Sequence, residues 1–368
     1  MPQPPILILG EFPSEAEVIS GHPFTGPSGA ELIRILAESG LISLTPTHRE
    51  SLRNYYTTSD PTRLQSIWSA NPFIHLANTF TTHPAHNNPE FFCGPKTSAI
   101  PGYPPLLKSK YVQSKFEPEL DRLCNEILTL DPNIIICLGN IPLWALTGKT
   151  GIKNIRGTTL LSHLCVADYK LLPTYHPSII TRDWSLRPTV IADFMKAKSE
   201  SAFPDLRRPP REIWIEPTLD DIQTFFNTHI RGCDILSTDI ETSGVRITCI
   251  GFAPSSSLAI VIPFDDGRAK SGSYWPTRED ERRVWDLVRS VLEDGSIRKL
   301  FQNGAYDISF LWRAYGIKTF GATEDTMLLS HALQPESLKG LGYLGSIFSR
   351  ERSWKHMRAK AETIKKDA

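Results

Sequence analysis

The chain has 368 residues, 40% hydrophobic and 22% charged, and its 40 basic and 40 acidic side chains balance to zero net charge. That length holds about two domains of roughly 150 residues each. Zero net charge excludes a uniformly basic nucleic-acid coat but leaves room for a local basic groove, and no apolar run approaches the ~18 residues of a membrane span.

Residues 6–9 (ILIL) read as a buried strand. The strand runs into GEFPSEAEVISGHPFTG at 10–26, a polar loop opened by glycine. An α/β sheet usually carries its ligand site in such a loop. Residues 29–39 have apolar positions at helical spacing, and 73–80 (FIHLANTF) read as a second strand. A Pro- and Gly-rich loop fills about 84–105. Residues 117–130 read as a helix with Pro118 near its start. The run DPNIIICLG at 131–139 has no alternation, which is how a strand buried on both faces reads. LLPTY at 171–175 leads into the polar loop Tyr175-His176-Pro177-Ser178, and a helix follows at 187–199.

The segment 203–211 (FPDLRRPPR) carries three prolines and three arginines and reads as a linker. After it come three strands, 235–241, 246–254 and 257–264, joined by short polar turns, which suggests an antiparallel meander. Helices are expected at about 278–293 and 306–314. The division expected is one domain over 1–202, a linker over 203–211 and a second domain over 212–368.

The six cysteines, at 93, 124, 137, 165, 233 and 249, form neither a CxxC pair nor a zinc-ligand spacing. They read as free thiols of a reducing cytosol, so a cytoplasmic location is expected. Met1-Pro2-Gln3-Pro4-Pro5 lacks the basic segment and apolar core of a signal peptide.

Four pieces fall just past the C-terminal ends of predicted parallel strands: the 10–26 loop, Asn78, the Leu138-Gly139 turn and the 175–178 loop. In a doubly wound sheet these ends share one edge. GEFPSEAEVISGHPFTGPSG, NTFTTHP at 78–84, LDPNIIICLG, Arg156-Gly157 and LPTYHPS at 172–178 occur in this order. Together they resemble the motifs of the family-four uracil-DNA glycosylases over about residues 5–198. The resemblance implies a doubly wound parallel-sheet domain that removes uracil from DNA. Phe24 would stack on the base, and Asn78 would read its edge with a donor and an acceptor. His176 would place a donor where negative charge develops on the leaving base. Glu17 would orient water or stabilise the sugar cation, and Glu11 would bond backbone or base. Ile179, Ile180 or Arg182 would wedge into the gap left by the flipped base.

The sequence departs from that family at three places. Phe12 and Ser14 replace small residues of the first motif, and Phe12 threatens to fill the base pocket. The family's iron–sulfur cluster needs four cysteines. Here one expected position is Thr82, and the chain starts too late for the first pair, so no cluster is expected. The basic insert of covalent-trapping relatives is replaced by PAHNNPEFF at 84–92.

In the second half, ILSTDIETSG sets Asp239 and Glu241 two apart on a strand, hence on one face. Two like charges held together favour a bound cation, here Mg²⁺ or Mn²⁺. Then comes QNGAYDISF, with Asn303, Tyr306 and Asp307, and EDTML, with Asp325. D-x-E followed by N-x-x-Y-D resembles the DEDD-type 3′–5′ exonucleases attached to family A DNA polymerases. The resemblance implies a ribonuclease H-like α/β domain with a mixed sheet. Asp239, Glu241 and Asp307 would cradle two metal ions, and Asp325 would be structural. The last motif is weak: Asp367 is present, but Thr363 stands where a Tyr is expected.

This pairing resembles the N-terminal part of some bacteriophage family A DNA polymerases. It implies DNA as partner, single-stranded or at 3′ ends, a polymerase module or subunit beyond the given chain, and no membrane. The leading expectation is an enzyme that removes uracil, trims 3′ ends, or does both. The alternative is a catalytically weak DNA-binding accessory of a phage polymerase.

Overall fold

The computed structural model describes residues 5–349, so Asp367 and Thr363 lie outside the described residues. The chain divides into two compact units. Among the described residues, one comprises 5–207 together with 342–349, and the other comprises Arg208–Leu341. The expected second domain, 212–368, is therefore not one unit: residues 342–349 lie with the first.

The first unit contains β1 (Ile6–Gly10), α1 (Glu15–Ser20), α2 (Pro27–Glu38), α3 (Pro46–Thr58), α4 (Thr62–Ser69) and β2 (Ile74–Asn78). Two short strands follow, β3 (Cys93–Gly94) and β4 (Tyr111–Val112), then α5 (Glu117–Leu130) and β5 (Ile134–Leu138). The rest is α6 (Asn140–Thr147), α7 (Ile152–Ile155), β6 (Leu160–Leu161), β7 (Lys170–Thr174) and α8 (Arg187–Glu200). The main sheet has the order β2-β1-β5-β7-β6, parallel except for the β6–β7 pair.

The sheet is buried on both faces, and the alternation is visible residue by residue. Ile6, Ile8, Ile134, Ile136 and Leu172 join α2 and α8 in one core. Leu7, Leu9, Ile135, Cys137 and Leu171 join α5 and α6 in the other. Helices on both faces of a parallel sheet make the doubly wound architecture, and they explain why 131–139 reads as continuously apolar. The C-terminal ends of β1, β2, β5 and β7 then open on one edge.

The cysteine expectation is corrected here. Cys124 on α5 and Cys165 are joined in a disulfide, with Cα atoms 5.4 Å apart. A sequence separation of 41 hides a pairing that packing creates. Cys93, Cys137, Cys233 and Cys249 are free thiols.

The second unit contains β8 (Glu212–Ile215), α9 (Leu219–Phe225), β9 (Ile235–Ser243), β10 (Arg246–Ser255) and β11 (Leu258–Pro263). It continues with α10 (Arg278–Leu292), β12 (Arg298–Phe301), α11 (Ala305–Tyr315), β13 (Ala322–Asp325) and α12 (Thr326–Leu333). The strand order is β13-β12-β9-β10-β11-β8. β9, β10 and β11 form the expected antiparallel meander, while β12 runs parallel to β9 and β13 parallel to β12. This mixed α/β topology is ribonuclease H-like. α9, α10 and α11 pack with Leu236, Ile240, Ile250, Ile260 and Ile262 into one core. The last described helix is α13 (Leu341–Phe348). No helix among the described residues is long and apolar enough to cross a membrane.

Candidate functional site

At the open edge of the first sheet, a cavity of about 310 Å³ is lined by Glu11, Phe12, Glu17, Phe24, Asn78 and His176, among others. Five of these are the residues the sequence marked as catalytic or base-binding. They come from three sequence-distant loops that the parallel strands bring to one edge. Ligand pockets commonly hold ~300–1,000 Å³, so the space suits a small ring.

Phe24 is buried and adopts a left-handed backbone conformation, φ 54°. A non-glycine residue in that region costs about 1–3 kcal/mol, so its surroundings must hold it. Trp68 Nε1–H donates to the Phe24 carbonyl at 3.1 Å. Gly29 lies so close that a Cβ there would fall 1.8 Å from the same oxygen. The Phe24 ring centroid is 6.2 Å from that of His176.

Asn78 ends β2. Its carbonyl accepts from Arg122 Nη2 at 2.7 Å, and Arg122 also reaches the Thr79 carbonyl at 3.2 Å. Its side-chain amide has no hydrogen-bond partner among the described residues, so donor and acceptor are both open to a ligand. Glu119, one turn before Arg122 on α5, accepts from the hydroxyls of Thr81 and Thr82. Thr82, where the resemblance would put a cluster cysteine, is thus used as a hydrogen-bonding residue.

His176 Nδ1 accepts the backbone N–H of Ser178 at 3.2 Å. A backbone amide can only donate, so Nδ1 carries no proton and Nε2 does. Burial, reinforced by the charge of Arg182, lowers the imidazole pKa to about 4. The ring is therefore neutral at ordinary pH and offers an Nε2–H donor.

The two glutamates are committed to the protein. Glu17 accepts from Ser14 N–H at 2.7 Å and Ser14 Oγ–H at 2.6 Å, and its other oxygen accepts the Phe24 N–H. It staples the loop that carries Phe24, and Ser14 is its partner. Glu11 turns towards the start of α6, where Oε1 accepts the Asn140 N–H at 3.1 Å. Burial pushes its carboxyl up to about 7, against the opposing pull of the Ile141 and Asn140 amides.

Phe12 lines the cavity but leaves it open. Its ring packs against the buried Phe92 of the core, at a centroid distance of 5.8 Å. Of the wedge candidates, Ile180 is corrected: it is 1% exposed and belongs to the core. Ile179 packs against that core, whereas Arg182 is exposed and lines the cavity.

In the second unit, Asp239 and Glu241 lie exposed on the face of β9 opposite buried Thr238 and Ile240. Asp307, buried in the first turn of α11, accepts the Ile240 N–H through Oδ1 at 3.1 Å. Burial raises its pKa to about 6, the Ile240 amide opposes this, and the nearby Asp239 charge pushes it further up. Asp325 caps α12 and also accepts from the amides of Asn303 at 3.1 Å and Gly304 at 2.8 Å. Asn303 takes φ 60° in this clamp. Tyr306 shares a hydrogen bond of 2.7 Å with Thr242. Carboxylate oxygens suit a hard divalent cation. Among the described residues, however, no group of three or more His, Cys, Asp or Glu side chains is arranged to hold one. The donor chemistry fits; a complete cradle is not formed.

A family model described as the uracil DNA glycosylase superfamily matches residues 1–206. The chain belongs to the uracil DNA glycosylase superfamily. That membership places it among hydrolases acting on nucleic acid. A comparison with curated proteins returns no match. Solved structures similar to this chain include Trypanosoma brucei RNase D, at 19% identity, covering 30% of this chain and 36% of that one, TM-score 0.24. Brucella melitensis NrnC with bound Mg²⁺ is 23% identical over 38% of this chain and 60% of that one, TM-score 0.25. The EXD2 exonuclease domain soaked in Mn and GMP is 19% identical over 37% and 68%, TM-score 0.26. The chain thus spans less than two thirds of the RNase D and NrnC chains.

The glycosylase-superfamily unit also depends on residues to which the sequence alone assigns no role of their own. Gly10 and Gly139 directly follow predicted strands, where a glycine often marks a close approach. A Cβ on Gly139 (φ 96°) would fall 2.3 Å from Glu11 Oε1. Trp68, Glu119 and Arg122 act on loops 37–44 residues away, and nothing local in their sequence signals it.

Proposed function

We propose that the first unit is a uracil-DNA glycosylase that hydrolyses the N-glycosidic bond without metal. The observation that carries this reading is the single cavity that collects Phe24, Asn78 and His176. In it, the Phe24 ring would stack on a flipped base. The unpartnered Asn78 amide would read the base edge. The neutral His176 would donate from Nε2 to the oxygen on which negative charge develops as the bond breaks. Glu17 would act chiefly by fixing Phe24, with Ser14 as its anchor. Glu11, near neutrality in pKa, would hold the start of α6 and lend or take a proton at the cavity wall. Arg182 is the wedge candidate consistent with exposure.

For the second unit we propose metal-dependent 3′–5′ exonuclease activity. The Asp307–Asp239 pair supports it, because a cation would relieve two like charges held close together. Mg²⁺ or Mn²⁺, when bound, would activate water and stabilise the leaving 3′ oxygen. Asp239, Glu241 and Asp307 would hold it, with Asp367 the remaining candidate. In this reading the functional domains are 1–202, to which 342–349 return, and 212–341, joined by 203–211, and no iron–sulfur cluster is used. The setting is DNA repair or replication in a cytoplasm, with a bacteriophage family A polymerase module as partner. The rival reading is a catalytically weak DNA-binding accessory of such a polymerase.

The test is a 5′-labelled oligonucleotide with one uracil, incubated with the chain in EDTA and then treated with alkali. EDTA silences a two-metal nuclease, so a cut at uracil reports base removal. Binding without a cut would favour the accessory reading.

A further inference from the structure

Residues 342–349 follow the second unit in sequence but belong to the first. There they meet a buried polar network. Arg156 forms a two-pronged ion pair with Asp193, with side chains 3% and 0% exposed. Asp193 Oδ2 also accepts the Thr174 hydroxyl at 2.6 Å. The remaining Arg156 prong, Nη1, donates to Ser346 Oγ at 2.8 Å. Lys196 Nζ donates to the carbonyls of Gly157 and Ser346, each at 2.6 Å. Gly157 has no room for a side chain: a Cβ would fall 2.6 Å from Asp193 Oδ1 and 2.8 Å from the Ser346 carbonyl.

Thr174 is the last residue of β7, two before His176. Its carbonyl accepts the Gly139 N–H at 2.9 Å, and the adjacent Pro173 carbonyl accepts the Gly157 N–H at 2.9 Å. The strand end that launches the His176 loop is thus held on its side-chain side by Asp193 alone among these contacts. Asp193 is oriented by Arg156, and Arg156 is completed by Ser346. A buried ion pair is favourable only when its remaining hydrogen-bonding groups are satisfied, and such networks fix one geometry when every member is satisfied.

We propose that Ser346 is a positioning residue for the base-excision site, acting through Arg156, Asp193 and Thr174 on the His176 loop. The segment after the second unit is then a working part of the first. This proposal rests on the glycosylase reading for its catalytic meaning, but not for its structural test.

The test compares the full chain with its Ser346→Ala and Ser346→Thr variants, by hydrogen exchange of peptides covering 174–183 and by uracil release in EDTA. In Ser346→Ala, the Ile179 and Ile180 amides, bonded to His176 and Pro177 carbonyls, exchange about tenfold faster or more, as local opening predicts. The kcat for uracil release falls about tenfold with KM within about twofold, the pattern of a lost transition-state contact. Ser346→Thr, which keeps the hydroxyl, restores both. Unchanged exchange at 174–183 overturns the proposal. So does a rise spread evenly over the first unit, which marks a merely structural role. If the unaltered chain releases no uracil, the glycosylase reading fails, and the exchange comparison still decides whether Ser346 positions this loop.

Discussion

Gly10 and Asn78 are register partners on paired parallel strands, and a methyl group on Gly10 would lie 2.3 Å from the Asn78 side-chain oxygen. The same methyl would fall 2.8 Å from Cζ of Phe24. The amide and the ring proposed to read and stack the base therefore both rest on a backbone without a side chain.

Gly10→Ala should displace both groups at once. Overpacking a tight site typically costs ~1–3 kcal/mol, so the chain should still fold. Uracil release should fall by about 10²-fold or more, the scale of losing one well-placed catalytic contact. Single-turnover release measured beside a thermal melt checks this. Full activity in a folded Gly10→Ala would remove Asn78 and Phe24 from the base site.

His176 should stay neutral well below the usual histidine range. Its folded pKa, about 4, lies under the ordinary 6.5. Stability from this group is complete above pH 6.5 and is lost as pH falls from there through 4, because the unfolded chain takes up the proton first. Nitrogen-15 NMR at pH 5.5 should find the Nε2–H tautomer. An imidazolium signal at that pH would contradict the donor assignment.

Glu11 has the opposite sign. Its carboxyl is raised from 4.5 to about 7, so the folded state holds its proton longer. Its ionisation costs stability as pH rises from about 4.5 through 7, and the cost is complete above that. Glu11→Gln keeps an oxygen for the Asn140 amide without the charge. It should stabilise the chain at pH 8 by up to about 3 kcal/mol, taking 1.36 kcal/mol per pKa unit as an upper bound. It should change little at pH 4. Denaturant melts at the two pH values measure the difference, and equal effects at both would refute the buried-charge account.

Asp239→Ala should abolish Mg²⁺-dependent trimming of 3′ ends and leave metal-free uracil release intact. In Asp239→Asn, without metal, the Asp307 pKa should fall from about 6, since the Asp239 charge contributes to raising it. Loss of both activities from Asp239→Ala would count against two independent sites.

Much of this was legible in the sequence because burial leaves a plain mark. The runs at 6–9 and 131–139 are apolar at every step, as a sheet covered on both faces requires. The D-x-E alternation announces the exposed face of β9. Other elements leave no such mark. α3 buries only Leu52 and Tyr55, so its polar sequence gave no helical stripe. α6 is nearly all buried, so it has no polar face to set a period. The Cys124–Cys165 bond and the placing of 342–349 depend on contacts between distant segments. The commitments of Glu11 and Glu17 to amides and a hydroxyl were invisible for the same reason: a motif shows that an acid is present, not which oxygen is already taken.

The most direct test of the central claim is mass-spectrometric detection of free uracil released from uracil-containing single-stranded DNA by the full chain in EDTA, beside Asn78→Ala. The account predicts stoichiometric uracil from the unaltered chain and a rate lower by about 10²–10³-fold in the variant, the usual loss for one hydrogen-bonding group aimed at a reacting centre. No uracil from the unaltered chain, or equal release from both, would contradict it.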